Sequence, residues 1–109
     1  MDRFLTLLGL ALRAKKLEVG EEPVHAALAA HKAKVVYLAQ DAAENTADKV
    51  RRHLDQTPCR TLPVDKTRLG HALGRRSCAL AAVTDPGFAR RLEELASEAA
   101  KHQDGGVVL

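Results

Sequence analysis

Aromatic side chains are scarce in this 109-residue chain, which has two phenylalanines, one tyrosine and no tryptophan. Proteins that read RNA on the face of a β-sheet stack bases on paired aromatic rings. Phe4, Tyr37 and Phe88 are too few and too scattered along the sequence to build such a platform. If the chain binds a nucleic acid, the contacts must therefore come from basic side chains, backbone N–H groups and helix ends.

Cysteines and long apolar runs are also few. Cys59 and Cys78 are isolated in the sequence, and no secretory signature accompanies them. This pattern is typical of reduced thiols, so we expect a cytoplasmic protein with buried cysteines. The apolar stretch within residues 1–16 is too short and too amphipathic for a signal peptide or a membrane span, so we expect no membrane partner.

Catalytic motifs are missing as well. The chain has no Gly-rich nucleotide-binding loop, no G-x-S-x-G and no H-E-x-x-H. Its five histidines lack metal-ligand spacing with the cysteines, and we expect them at the surface. Glu21 and Glu22 would point about 100° apart on a helix, so they cannot pair for acid–base catalysis. We predict a protein that is not an enzyme and has neither a metal nor a cofactor.

Basic residues are present in excess, and they are unevenly distributed. The net charge is +3, and residues 49–76 contain eight basic and two acidic side chains. Residues 85–104 have the opposite balance, with five acids and three bases. One surface facing phosphates would explain this separation, whereas a solvated face with uneven charge is the alternative interpretation.

Apolar periodicity and capping residues predict helices alternating with strands. Helix starts are indicated at Asp2, at Glu21, at Asp41–Glu44 or Asn45–Thr46, at Asp65 and at Asp85–Pro86. Apolar runs predict strands over residues 17–19, 34–39, 59–64 and 78–83, with Pro63 indicating an edge strand or a strand end. We predict a three-layer α/β/α sandwich with a four-stranded mixed sheet, as one domain over residues 1–101 with a flexible tail at 102–109.

Polar residues that suit a ligand concentrate at three loop positions. These are Lys15-Lys16 leading into Gly20–Glu22, Arg75-Arg76 after Gly74, and the start of the last helix. In an alternating α/β fold several loops gather at one end of the sheet, where ligands usually bind, so we expect these positions to lie together. Helix N-termini offer N–H groups to phosphates or base edges, glycine permits close backbone approach, and arginines can straddle phosphates.

Four sequence blocks, in this order, resemble those of one protein family. The blocks are LLGLALRAKKLEVGEE (7–22), GEEPVHAALAAHKAKVVYLAQD (20–41), LGHALG (69–74) and AAVTDPGFA (81–89). The chain resembles the kink-turn-binding ribosomal proteins typified by archaeal L-seven-Ae, with their L-thirty-e and Gadd relatives, and in particular their bacterial YlxQ-like branch. The resemblance extends from Phe4 to about Leu95. It implies a three-layer α/β/α fold and binding of sharply bent RNA as a ribosome-associated or ribonucleoprotein component.

The same resemblance implies an RNA-binding residue set. Gly20, Glu21 and Glu22 match the start of the second helix, which reads guanine edges, and position 26 completes that group. The loop before the last strand, which packs against extruded nucleotides, falls on Arg75, Arg76, Ser77 and Cys78. Lys16, Lys32 and Lys34 lie where basic residues could meet phosphate. The implied partners are structured RNA, ribosomal or regulatory, and ribosomal or ribonucleoprotein proteins.

The start of the second helix departs from part of that family. Archaeal and eukaryotic members usually carry Asn-Glu and a lysine three residues later, where this chain has Glu22, Pro23 and Ala26. An amide that can donate is thus replaced by a carboxylate that only accepts. These changes favour an alternative, a protein-interaction module on the same fold whose Glu21 and Glu22 meet a basic partner. The basic excess over residues 49–76 favours RNA.

Overall fold

Five helices and four strands alternate along the chain in the computed structural model, which describes the backbone of residues 1–108 and the side chains of residues 1–99. The elements are α1 (Asp2–Arg13), β1 (Leu17–Val19), α2 (Glu21–Ala29), β2 (Val35–Leu38), α3 (Glu44–Arg52), β3 (Cys59–Thr61), α4 (Lys66–Ala72), β4 (Leu80–Val83) and α5 (Pro86–Val108). This alternation confirms the order predicted from periodicity and capping residues.

The four strands form one mixed sheet in the order β1-β4-β2-β3. Strand β4 is antiparallel to both of its neighbours, so that Val83 pairs with Leu17 on one side and with Val35 on the other. Strand β2 is parallel to β3. The mixed four-stranded sheet predicted from the sequence is confirmed, and β3 is the edge strand that Pro63 indicated.

Strictly alternating side chains of the central strands divide the interior into two apolar cores. Val35 and Tyr37 of β2 face one core, while Val36 and Leu38 face the other. Helices α1, α4 and α5 cover the first core with Phe4, Leu8, Leu69, Leu73, Leu92 and Leu95. Helices α2 and α3 cover the second with Val24, Ala27, Leu28, Ala47 and Val50. Because both faces of the sheet are covered, the chain has the three-layer α/β/α architecture predicted from its sequence.

Two of the predicted helix caps form, and two do not. Asp65 accepts a hydrogen bond from the Arg68 N–H at 2.8 Å, and Asp85 accepts one from the Phe88 N–H at 2.8 Å. Helix α1 instead begins after Met1, and the Asp2 carboxylate pairs with Arg68.

The predicted side-chain cap of α3 is also wrong. This helix begins at Glu44 with no side-chain cap, because the Asp41 carboxylate accepts from the Lys66 N–H at 2.8 Å. Asp41 therefore joins the start of α4 to the end of β2, a contact between residues 25 positions apart that local sequence could not reveal.

Both cysteines are free, as predicted. Cys78 is buried and its thiol donates to the Leu80 carbonyl at 3.2 Å, whereas Cys59 is only half-buried on the edge strand. Burial raises the pKa of both thiols above the ordinary value. Over the described residues no helix is long and apolar enough to cross a membrane. The tail predicted at residues 102–109 falls where side chains lie outside the described residues, and it stays a prediction, as does the domain boundary at residue 101.

Candidate nucleic-acid interface

The directions of the strands bring two of the three predicted loop positions together. Strand β1 ends where β4 begins, because Val19 pairs with Ala81 in the antiparallel register. The start of α2, at Gly20–Glu22, therefore lies beside the loop of residues 74–79 that precedes β4. We call this region the α2 end, and it contains Gly20 and five more of the predicted RNA-binding residues: Glu21, Glu22, Arg75, Arg76 and Ser77.

Gly20 joins the two segments of the α2 end directly. Its N–H donates to the Leu80 carbonyl at 3.2 Å, and its own carbonyl accepts from the Val24 N–H at 3.1 Å in the first turn of α2. The backbone at Gly20 has φ +99° and ψ 168°, a conformation that residues with a Cβ rarely adopt. Glycine therefore allows the chain to leave β1 and enter α2 while staying hydrogen-bonded to the start of β4.

The first turn of α2 presents donors and acceptors next to one another. No side chain caps this helix, and among the described residues no acceptor meets the N–H groups of Glu21 and Glu22. Both glutamates are exposed, and their carboxylates complement the positive end of the helix dipole. The two free N–H groups and two carboxylates thus offer hydrogen bonds of both kinds to a base edge.

The loop of residues 74–79 is held against α4 by backbone hydrogen bonds. The Arg75 N–H donates to the Gly70 carbonyl at 2.8 Å and the Cys78 N–H to the Lys66 carbonyl at 2.9 Å. Gly74, with φ +70°, ends α4 in the left-handed conformation that commonly terminates helices. The loop crosses so close to the helix that a Cβ on Gly70 would lie 2.4 Å from the Ser77 Cα.

This anchoring leaves the side chains of the loop in solvent. Arg75, Arg76 and Ser77 are all exposed, while the next residue, Cys78, is buried. Within residues 1–99, no carboxylate forms an ion pair with Arg75 or Arg76. Two arginines with unpaired guanidinium groups therefore lie next to the uncapped start of α2, which makes the α2 end suited to an anionic, hydrogen-bonding ligand.

Lys16, Lys32 and the start of α5 lie at the opposite end of the sheet, so the expectation that all three loop positions meet is wrong. Lys16 precedes β1, and its carbonyl accepts from the Thr84 N–H at 2.9 Å just after β4. The four residues from Lys16 to Gly20 span about 13 Å of extended chain. The separation arises because β4 is antiparallel to β1 and β2, so α5 begins where those two strands begin.

His25 is a feature that sequence reasoning missed, because all five histidines were expected at the surface. It is half-buried on α2, its Nε2 has no hydrogen-bond partner among the described atoms, and its ring lies edge-on to His53 at 5.5 Å. Burial lowers the pKa of His25, the nearby Lys49 and His53 lower it further, and Glu21 opposes them. Within the described part of the chain, no three histidine, cysteine or acidic side chains are grouped closely enough to hold a metal ion.

Comparison with known proteins assigns the chain to a family. Residues 2–93 match the Ribosomal protein L7Ae/L30e/S12e/Gadd45 family, and the chain belongs to it. The RNA-binding protein YlxQ of Bacillus subtilis (strain 168) is 40% identical over 93 residues, which are 82% of this chain and 90% of that protein. The RNA-binding protein YlxQ of Enterococcus faecium is 37% identical over 96 residues, covering 86% of this chain and 91% of its own length.

A solved structure agrees with this assignment. A protein of unknown function from Bacillus halodurans C superposes with a TM-score of 0.82 at 33% sequence identity, and the alignment covers 89% of this chain and 99% of that one. The family and the YlxQ-like branch inferred from the four sequence blocks are thus confirmed.

Proposed function

We propose that this protein binds structured RNA at the α2 end without catalysing a reaction. The observation that carries the proposal is the hydrogen bond from Gly20 to Leu80, which holds the uncapped start of α2 beside the exposed arginine loop. Membership of a ribosomal protein family and similarity to two proteins named as RNA-binding support it. The same family membership, together with two free cysteines, supports a cytoplasmic, ribosome-associated or ribonucleoprotein setting.

In the proposed complex the start of α2 contacts bases. The carboxylates of Glu21 and Glu22 accept hydrogen bonds from guanine N–H groups, and the free backbone N–H groups of the same residues donate to base or phosphate oxygens. A regular A-form RNA helix hides its base edges in a deep, narrow major groove. A bent helix with unpaired or sheared bases exposes those edges, so the backbone donors and carboxylates of α2 favour kinked RNA over a straight duplex.

The arginine loop supplies the positive charge in this proposal. Family members with a lysine in the first turns of α2 have a cation there, whereas this chain has the exposed Ala26. Arg75 and Arg76 compensate from the neighbouring loop, where planar guanidinium groups can each hold one phosphate by two hydrogen bonds. Ser77 adds a hydroxyl within the same loop. The basic partner expected for the alternative protein-interaction module would be repelled by these two arginines.

A salt-titrated gel shift tests the proposal. We expect the protein to bind a kink-turn RNA more tightly than a straight duplex of equal length, with the logarithm of the binding constant falling linearly with the logarithm of salt concentration. Equal and weak binding to both RNAs would contradict it.

A pair of variants tests the arginine loop in the same assay. Arg75→Ala with Arg76→Ala should reduce the magnitude of the salt slope by about 2, because each lost phosphate contact removes about 1. The matched control is Arg90→Ala with Arg91→Ala, an adjacent pair of exposed arginines on α5. Identical binding by the two double variants would exclude the arginine loop from the interface.

A further inference from the structure

Four exposed lysines surround the end of β4 on the side of the sheet opposite the α2 end. Lys15 and Lys16 connect α1 to β1, while Lys32 and Lys34 connect α2 to β2. The Lys16 carbonyl accepts from the Thr84 N–H at 2.9 Å, and the Lys34 N–H donates to the Val83 carbonyl at 2.7 Å. Lys16 and Lys34 thus flank β4 at two strand spacings, about 10 Å apart. We call these four residues the lysine end.

The two connections at the lysine end have the same backbone geometry. At the end of α1 the Lys16 N–H donates to the Ala11 carbonyl at 2.8 Å, and at the end of α2 the Lys32 N–H donates to the Ala27 carbonyl at 2.9 Å. The residue before each lysine is left-handed, with φ +61° at Lys15 and φ +57° at His31. Both helices therefore end in a Schellman motif with a basic residue at the left-handed position.

Helix α4 ends in the same motif but with glycine. The Arg75 N–H donates to the Gly70 carbonyl at 2.8 Å, and Gly74 has φ +70°. Glycine is the residue that this position favours, because any Cβ is strained there. At the lysine end, α1 holds Lys15 and α2 holds His31 at this position against that backbone preference. Complementing the helix dipole does not require this at α1, whose last turn already contains Arg13.

Charge at the lysine end is not neutralised by neighbouring acids. None of the four lysines forms an ion pair with an acid among residues 1–99. Neither Glu18, two residues after Lys16, nor Asp85, which follows Thr84, forms an ion pair with these lysines, and Asp85 caps α5 through the Phe88 N–H. One of these unpaired lysines, Lys15, also has the strained left-handed backbone that is often found at binding sites.

We propose that the lysine end is a second phosphate-binding surface, which holds the helical arm of the same RNA whose bases are read at the α2 end. This inference rests on the proposed function and extends it. Helix α2 connects the two ends, and its nine residues span about 14 Å. Besides Pro23 and His31, the exposed positions between them are Ala26, Ala29 and Ala30, whose side chains are single methyl groups, so an RNA backbone can follow the helix from Glu22 to Lys32.

The test compares Lys16→Ala with Lys32→Ala against the Arg90→Ala, Arg91→Ala control on two RNAs. One RNA has a kink-turn with a full-length helical arm, and the other has the same kink-turn with that arm cut to a few base pairs. With the long arm, the lysine variant should reduce the magnitude of the salt slope by about 2 relative to wild type and to the control. With the short arm, the lysine variant and the control should bind alike.

Three outcomes separate this inference from the function on which it rests. A slope unchanged by the lysine substitutions on the long-arm RNA overturns the inference, and a preserved effect of Arg75→Ala with Arg76→Ala leaves the proposed function standing. An equal loss of slope on both RNAs also overturns it, since the lysines would then contact the kink rather than the arm. If wild-type protein distinguishes neither RNA from a straight duplex, the proposed function fails, and this inference fails with it.

Discussion

Replacing Gly70 by alanine should displace the arginine loop and destabilise the protein. Gly70 is buried in α4, and a Cβ built there would lie 2.4 Å from the Ser77 Cα and 2.7 Å from the Ser77 backbone N and C. These neighbours are backbone atoms, which cannot rotate away as the end of a flexible side chain can. Ordinary carbon–carbon contact is about 3.5–4.0 Å, so the loop must move by roughly 1 Å or more.

The magnitude follows from opposing contributions. Alanine improves the helix propensity of α4 by about 1 kcal/mol relative to glycine. Overpacking costs about 1–3 kcal/mol, and a weakened hydrogen bond between the Arg75 N–H and the Gly70 carbonyl costs about 1 kcal/mol more. We therefore expect Gly70→Ala to lower the free energy of unfolding by about 1–3 kcal/mol, with a fall in Tm of roughly 4–8 °C for each 1 kcal/mol.

Urea and thermal unfolding, followed by far-ultraviolet circular dichroism, measure this effect. The matched control is His71→Ala, an exposed neighbour on α4 whose replacement should change stability by no more than about 0.7 kcal/mol. In the RNA assay, Gly70→Ala should weaken binding while His71→Ala should not. A Gly70→Ala protein at least as stable as wild type would refute the close crossing of Ser77 over α4. A destabilised variant with undiminished RNA affinity would show that the loop is not part of the interface.

Two further predictions concern single residues at the other features. Lys15→Gly should raise the free energy of unfolding by about 1 kcal/mol, because φ +61° suits glycine, and should weaken binding to long-arm RNA. Denaturant unfolding and the gel shift check the two signs separately: a fall in stability would contradict the first, and an unchanged or higher affinity would contradict the second. The pKa of His25 is depressed by burial, so the unfolded state takes up a proton more readily and stability should fall as pH drops below about 6.5. Unfolding midpoints between about pH 5 and pH 7 should vary less in His25→Leu than in wild type or in His71→Leu, which is the control at an exposed histidine. If all three proteins depend equally on pH, His25 is not the cause of the loss of stability.

We propose that the two surfaces contribute differently to RNA binding, the α2 end through directed hydrogen bonds and the lysine end through positive charge. At the α2 end, free N–H groups and carboxylates are fixed in direction by the helix, so they can discriminate base edges. At the lysine end, flexible ammonium groups provide charge with little directional requirement. A phosphate-holding surface distant from the base-reading residues would orient the RNA arm and add affinity without adding sequence preference.

Local features of the fold were predictable from the sequence alone. The caps Asp65 and Asp85 act on the N–H group three residues later, and Gly20 and Gly74 act on their own backbone angles. Such effects depend only on neighbours within one helical turn, so they are visible in a short stretch of sequence. The four sequence blocks indicated the family, and the family implies the sandwich architecture.

Contacts between distant segments were not predictable in the same way. Asp41 looks like a cap for α3, yet it accepts from Lys66, and nothing near Gly70 in the sequence announces that Ser77 crosses it. His25 appeared to be one more surface histidine until α2 packed beside α3 and brought it against His53. Each of these contacts depends on which helices and strands become neighbours in the folded protein.

The sequence alone predicted an α/β/α protein without base-stacking rings, from its few aromatic residues, isolated cysteines, basic excess and alternating apolar runs. Only the tertiary structure decided that Lys16 and Lys32 lie apart from Gly20, Arg75 and Arg76. The physical reason is that helix and strand propensities act over a few residues, whereas strand order and direction follow from burying apolar faces contributed by the whole chain.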